Sequence, residues 1–158
     1  MGVLRAGLQA GVLNESSAQV IDGSLKFEAS KSQYLTRTPG SAGNRKTWTW
    51  SGWVKRASSS ASNKHSFYGA YGGSHETSST LTYDNSTDDV LRFEDDFING
   101  DLGGKTPAVF RDFGGGWYHV VISLDTTKSS VTDGLKIYVN GTQQTGLTGT
   151  IWNPNHDS

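Results

Sequence analysis

The sequence contains no cysteine and only three prolines, and its 14 Lys and Arg residues are matched by 15 Asp and Glu residues. The absence of cysteine excludes disulfides, thiolate zinc ligands and a thiol nucleophile. The charges are scattered, so they give no electrostatic footprint for nucleic acid or anionic lipid. No run approaches the roughly 18 apolar residues needed to span a bilayer. We therefore expect no nucleic-acid partner and no membrane insertion.

Glycine and hydroxyl side chains are abundant instead. Twenty glycines occur among the 158 residues, together with many serines and threonines. This composition is typical of short strands joined by tight turns rather than of helices. The length suits one domain that buries a core without covalent staples. We predict an all-β domain.

Residues 1–23 differ in kind from the rest of the chain. They are apolar but interrupted by glycines, which argues against a stable helix. With a single cation, Arg5, the segment is a poor secretory signal. Two interpretations stay open, a mobile or locally packed terminus and an extended arm that docks on a larger assembly. We predict an arm over residues 1–23 and the folded domain over residues 24–158.

Residues 47–56 alternate large rings with small hydroxyl side chains and hold three of the five tryptophans. Alternation at period two is typical of a half-buried strand. Trp48 and Trp50 would face the core, whereas Trp53 and Lys55 would face the other way. The second face is either a further packing layer or a surface for a ligand.

Two later segments alternate in the same manner. Residues 117–125 place an apolar set inward and Trp117 and His119 outward, and residues 135–139 place Lys136 and Tyr138 outward. The Asn140-Gly141 dipeptide that follows favours a type I′ hairpin turn. We expect shorter strands at residues 24–27, 34–37, 65–71, 81–83, 90–94 and 108–112, with turns over 95–106. Within residues 65–71, alternation would turn Phe67 one way and Tyr68 the other.

Six side chains share the non-core parity and would form one aromatic and polar face. An exposed ring beside hydrogen-bonding groups suits a sugar, but the same rings would also pack under a loop or against another subunit. For His119 we expect a structural hydrogen bond. The candidate ligand-binding residues are Trp53, Lys55, Trp117, His119, Lys136 and Tyr138.

Several of these segments resemble the concanavalin A-like jelly rolls of the laminin-G and pentraxin type. The matching pieces are residues 24–27, 33–35, 48–55, 116–121 and 136–141, and the resemblance covers residues 24 to about 157. It implies an antiparallel two-sheet jelly-roll sandwich. Such domains usually continue past the position of Trp152 with closing strands, so we expect either a fragment or an incomplete sandwich that neighbouring subunits complete. Exposed sheet edges would promote a homo-oligomer.

The amino-acid sequence of residues 34–39 and 43–56 resembles domains in virion proteins of tailed phages of marine bacteria. This resemblance implies a non-enzymatic virion structural protein, such as a capsid decoration protein, a tail fibre or another appendage on the extracellular particle. The N-terminal arm would bind other virion proteins, and the jelly roll would mediate subunit contacts and bind a host-surface glycan. The alternative is a secreted or cell-surface carbohydrate-binding lectin.

Some members of this fold cleave β-glucans with a Glu-x-Asp-x-x-Glu motif on one strand, so residues 94–99 are compared with that motif. Retaining hydrolysis needs two carboxyl groups about 5 Å apart. Here Glu94 and Asp96 supply the first Glu and the Asp of the motif, but Asn99 stands where the last Glu would be. An amide cannot donate and recover a proton. We predict that the protein is not an enzyme.

Laminin-G and pentraxin relatives use Asp side chains at the rim of the sandwich as calcium ligands. Calcium is therefore the cofactor for which we looked for ligands in this sequence. Asp95, Asp96 and Asp101 fall in one predicted acidic loop and would offer hard oxygen ligands. The more common outcome for such a loop is plain solvation. We retain these three residues as the candidate metal site and no other cofactor.

Overall fold

The computed structural model describes residues 23–56, 65–71, 77–84, 89–97, 102–111, 115–151, 154–155 and 157. The chain divides into two compact units, Met1–Gly40 and Ser41–Ser158. The predicted arm lies almost wholly outside the described residues, so its role stays a prediction.

The second unit is an all-β sandwich, as predicted. Its described strands pair antiparallel in a four-stranded sheet, in the order β1-β6-β7-β8, and a five-stranded sheet, in the order β2-β3-β4-β5-β9. One helical turn, α1 (Val131–Gly134), precedes β7. Across the described residues no helix is both long and apolar enough for a membrane span. The strands are β1 Thr47–Val54, β2 His65–Tyr71, β3 Thr77–Asp84, β4 Val90–Phe97, β5 Leu102–Val109, β6 Tyr118–Asp125, β7 Leu135–Val139, β8 Thr142–Gln143 and β9 Thr148–Ile151.

The described part of the first unit contains a short 3₁₀ helix, Ala29–Lys31, and no strand. The strands predicted at residues 24–27 and 34–37 are therefore wrong. Local hydrogen bonds turn the chain instead, since Lys31 N donates to Glu28 O at 3.0 Å and Glu28 N donates to Gln33 Oε1 at 3.0 Å. Alternation alone does not make a strand, because a strand also needs a neighbour for its backbone groups.

The tryptophans of β1 hold the two sheets together. Burial alternates along the strand as predicted, and the Trp48 ring meets Phe93 of β4 at a centroid distance of 5.6 Å. Trp50 meets Phe67 of β2 at 5.5 Å. Its indole also covers Gly52, where an added Cβ would lie 2.7 Å from Trp50 Cη2. A side chain at position 52 would therefore displace the Trp50 indole from its present position.

The predicted core faces of β6 and β7 are confirmed. The hairpin after β7 is also as predicted, since Asn140 (φ 49) and Gly141 (φ 80) both have positive φ, as a type I′ turn requires. Because this turn fixes the register, outward residues of the two strands stay aligned. The buried inward residues are Val120, Ile122, Leu124, Leu135, Ile137 and Val139.

Strand β2 departs from simple alternation. We predicted that Phe67 and Tyr68 would face opposite ways, but a register shift between Ser66 and Tyr68 turns both rings inward. Phe67 and Tyr68 lie 5.5 and 6.2 Å from the Trp50 ring. A bulge inserts one extra residue into a strand, so it reverses the parity of all that follows. The predicted facing of Tyr68 was wrong for this reason.

The region predicted as turns over residues 95–106 is largely strand. β4 continues to Phe97 and β5 begins at Leu102 and ends at Val109, earlier than the strand predicted at 108–112. Gly103 lies within β5, although a glycine in a sequence usually indicates a turn. Its φ is +155, and a Cβ there would overlap the carbonyl oxygen of Phe93 on β4. Glycine therefore marks a close approach of two strands here rather than a turn.

A buried ion pair links the ends of the two sheets. Arg56 follows β1, is 5% exposed, and reaches Asp89 Oδ1 at 2.9 Å and the Phe110 carbonyl at 3.0 Å. Its guanidinium also lies 5.5 Å from the Tyr83 ring centre. Partial burial raises the pKa of Asp89, but hydrogen bonds from Arg56 and Arg111 outweigh it and the pKa is lowered. The aspartate is therefore ionised at neutral pH and compensates the buried guanidinium.

We expect the stability of the protein to fall as the pH drops below about 6.5, because of His65. Burial, and then the Arg56 guanidinium, lower the pKa of this imidazole from 6.5. The unfolded chain therefore binds a proton that the folded state does not, and the free energy of unfolding decreases with falling pH. Urea unfolding at about pH 8 and about pH 5 measures the loss, which should be smaller in His65→Gln. Equal losses in the two proteins would contradict this role.

Candidate functional site

The outward side of the four-stranded sheet gathers the residues that the sequence singled out. We call this surface the outer face, and it comprises the outward side chains of β1, β6 and β7 with the residues that flank them. Its rows follow the strand register. Trp53 lies opposite His119, Ser51 opposite Val121, and Val121 opposite Tyr138.

Trp53 and His119 form the centre of the outer face. The indole is 52% exposed, and its ring centre lies 5.1 Å from the imidazole at an interplanar angle of 35°. The predicted outward parity of both residues is confirmed. A tryptophan held open against a neighbouring ring presents a flat apolar surface to solvent, which is a feature of ligand-binding surfaces more than of sheet packing.

Hydrogen bonds fix the imidazole of His119 and its strand. His119 Nε2 lies 2.9 Å from Ser51 Oγ, and the His119 backbone N–H donates to Asn140 Oδ1 at 2.9 Å. Asn140 N donates in return to the His119 carbonyl at 2.8 Å. The expected structural hydrogen bond of His119 is thus confirmed. Trp53 therefore rests on a ring whose position is set by two neighbouring strands.

The sequence did not single out Ser51 or Asn140 as parts of this site. Ser51 carries the same parity as Trp53 and stands two residues away, which is the signal that could have found it. Asn140 was assigned to the turn alone. Its second role requires the pairing of β6 with β7, which no local pattern encodes.

The other four predicted residues lie on or beside the outer face. Tyr138 and Lys136 are half-buried on β7, with Lys136 opposite Ser123. Lys55 directly follows β1 and Trp117 directly precedes β6, and the pairing of the neighbouring Val54 with Tyr118 puts both at the same end. Trp117 is 45% exposed. The structure therefore brings all six candidates to one side of one sheet.

Asp125 is the acidic residue on the outward side of β6. Its carboxylate accepts hydrogen bonds from Thr127 Oγ1 at 2.6 Å and Thr127 N at 3.0 Å, and Lys128 Nζ lies 3.6 Å away. The Thr127 hydroxyl outweighs the effect of burial, so the pKa of Asp125 is lowered. The charge is thus engaged locally, at the end of β6 distant from Trp53.

The acidic candidates for a metal site do not form the loop that was expected. Asp95 and Asp96 belong to strand β4, and Asp101 lies outside the described residues. The Asp95 side chain is 2% exposed and faces inward, where burial and, secondarily, its carboxylate raise the pKa of Tyr68. Within the described ranges no three acidic or histidine side chains are grouped to hold a metal. Calcium binding stays a prediction.

The carboxylates of the glucanase-like run are on opposite sides of β4. Glu94 contacts Arg92 on the outward side, whereas Asp95 points into the sandwich. Asp95 stands between Glu94 and Asp96, the Glu and the Asp of the motif, and it is turned away from Glu94 because successive residues on a strand alternate in direction. Asn99 lies outside the described residues.

Two facing antiparallel sheets with an aromatic outer face define a lectin-like β-sandwich. A laminin G-type family model, described as the concanavalin A-like lectin/glucanases superfamily, matches residues 29–158. The chain belongs to this superfamily. No curated protein and no solved structure matches the chain significantly.

We expect Asn140→Ala to lower the free energy of unfolding by about 1–2 kcal/mol, because it removes a hydrogen bond and leaves alanine at positive φ. Urea unfolding measures the change. Asn140→Asp is the matched control, since it retains an oxygen acceptor and tolerates positive φ. An alanine variant as stable as the aspartate variant would show that the bond to His119 contributes little.

Proposed function

We propose that the domain is a non-enzymatic binding module that holds a glycan against Trp53 on the outer face. The exposed indole that packs at a tilt against His119 carries this proposal. The apolar side of a pyranose ring packs well on a tryptophan face, and its hydroxyl groups need polar partners around the ring. Ser51, Tyr138 and Gln143 provide such groups along one row of the sheet.

The geometry favours binding over catalysis. Asn99 stands where the last Glu of the glucanase motif would be, so the run lacks the second carboxyl group that a retaining glycosidase needs there. Ser51 and His119 lie at the 2.9 Å distance of a nucleophile and its base. They stand, however, on an open sheet, where the backbone N–H groups between β1 and β6 are used by the strand pairing. An acyl-transfer site needs free donors aimed at the developing oxyanion.

The domain is further proposed to be part of a tailed-phage virion, as a decoration protein, a fibre or another appendage on the extracellular particle. The resemblance of residues 34–39 and 43–56 to domains in virion proteins of tailed phages supports this assignment. Residues 1–23 would anchor the domain to other virion proteins, and its sheet edges would join copies into a homo-oligomer. In the described residues β1 and β2 are outermost in their sheets, which leaves one side of each for such contacts.

Glycan binding should depend on Trp53. Trp53→Ala is expected to weaken binding at least about tenfold, as for a central aromatic contact. A microarray of bacterial surface polysaccharides identifies a bound glycan, and calorimetry with that glycan compares the variants. Ser66→Ala, an exposed change on β2 of the other sheet, is the control and should bind as the wild type does. Equal binding by Trp53→Ala, or no bound glycan, contradicts the proposal.

Location separates the virion protein from the alternative, a secreted or cell-surface lectin. In gradient-purified phage particles, mass spectrometry should detect the chain at a fixed ratio to capsid or tail proteins. The ratio should survive a high-salt wash, because an anchored subunit buries apolar area that salt does not screen. Recovery of the chain only as a free secreted protein or on cell surfaces would favour the lectin.

A further inference from the structure

Two lysines of the outer face have no anionic partner among the described residues. Lys55 is exposed and Lys136 is half-buried, and neither takes part in an ion pair there. Other described lysines do form ion pairs, such as Lys31 with Glu28 at 3.1 Å. The outer face therefore presents positive charge that no acidic side chain of the described residues neutralises.

Asp125 does not supply the missing anion. Its carboxylate is engaged by Thr127 and Lys128. Lys136 lies opposite Ser123, two residues before Asp125 on β6, yet no ion pair joins them. Lys136 is therefore left to face solvent or a ligand.

The two lysines lie on either side of Trp53. Lys55 is two residues beyond Trp53 and directly follows β1, so an extended chain places it about 7 Å from Trp53. Lys136 lies in the same row of the sheet as Ser123 and Thr49. Thr49 comes four residues before Trp53 on β1, so this row crosses β1 about 13 Å from Trp53, on the side away from Lys55. A ligand that touches both cations and the indole must extend over several sugar units.

We propose that the outer face selects an acidic polysaccharide, with Trp53 stacking a sugar ring and Lys55 and Lys136 pairing with its carboxylate or sulfate groups. This inference rests on the proposed glycan binding at Trp53. Lys55 and Lys136 are then specificity-determining residues, and neutral glycans with the same backbone bind less tightly.

Charge density favours a glycan over a nucleic acid as the anionic chain. A single nucleic-acid strand carries a phosphate on every unit, and proteins that bind it neutralise several of them with a positive groove. The whole chain has a formal charge of −1, and the outer face offers two unpaired lysines. Sparse cations around one stacking ring match a chain whose charges are spaced apart.

The test uses three probes with one backbone, namely dextran, carboxymethyl dextran and dextran sulfate. Biolayer interferometry at physiological salt measures the affinity of the full chain for each. At least one acidic probe should bind more tightly than dextran. Lys55→Gln and Lys136→Gln should each weaken that binding about two- to fivefold, the range for exposed ion pairs, and should leave dextran binding unchanged. Lys31→Gln is the control and should change nothing.

The outcomes separate this inference from the proposed function. If the acidic and neutral probes bind equally and Trp53→Ala weakens both, the glycan site stands and acidic selection is wrong. If no probe and no arrayed polysaccharide binds, the glycan site itself is wrong. If the acidic probes bind but the lysine variants match the wild type, the selectivity does not come from these residues. If an oligothymidylate displaces the acidic probe at equal concentration, the anionic partner is nucleic acid.

Discussion

The contact of Trp48 and Trp50 with the opposite sheet determines which side of β1 faces solvent. These rings meet Phe93 and Phe67 across the sandwich, and Gly52 leaves room for the second indole. Because side chains alternate along a strand, their inward direction forces Trp53 outward. The outer face is therefore a consequence of core packing. Any change that displaced the indoles would also rotate the residues that the candidate site needs.

The buried Arg56 adds a constraint on how the sheets are joined. Desolvating a guanidinium costs several kcal/mol, which the Asp89 carboxylate and the Phe110 carbonyl offset. Such a pair contributes less to stability than to arrangement, since removing either partner leaves an uncompensated charge. Arg56 lies two residues past the end of the strand that carries Trp53. The inner and outer surfaces of β1 are thus fixed both by ring packing in the middle and by an ion pair at the end.

A flat sheet face has consequences for how a glycan would be bound. It buries less of a ligand than a cleft does, so the affinity of one site is expected to be modest. Display of many copies on one particle, as proposed, would compensate by raising the effective concentration of further sites. The polar row beside Trp53 includes Ser51 and Tyr138, which are held in the strand register and have few rotatable side-chain bonds. They lose little side-chain entropy when a ligand is bound.

Features that depend on period-two alternation and on local turn chemistry could be predicted from the sequence alone. It predicted the core of β1, β6 and β7, the Asn140-Gly141 turn and the common side of the six candidate residues. Features that depend on neighbouring strands could not be predicted from the sequence and became visible in the folded chain. The bulge in β2 reversed the facing of Tyr68, Gly103 marked strand contact instead of a turn, and Asp95 was turned inward. Residues 24–27 alternate like a strand but form none, and the bond between His119 and Asn140 depends on pairing of β6 with β7. Alternation is encoded within a strand, whereas register, bulges and partners are set by backbone hydrogen bonds between segments distant in sequence.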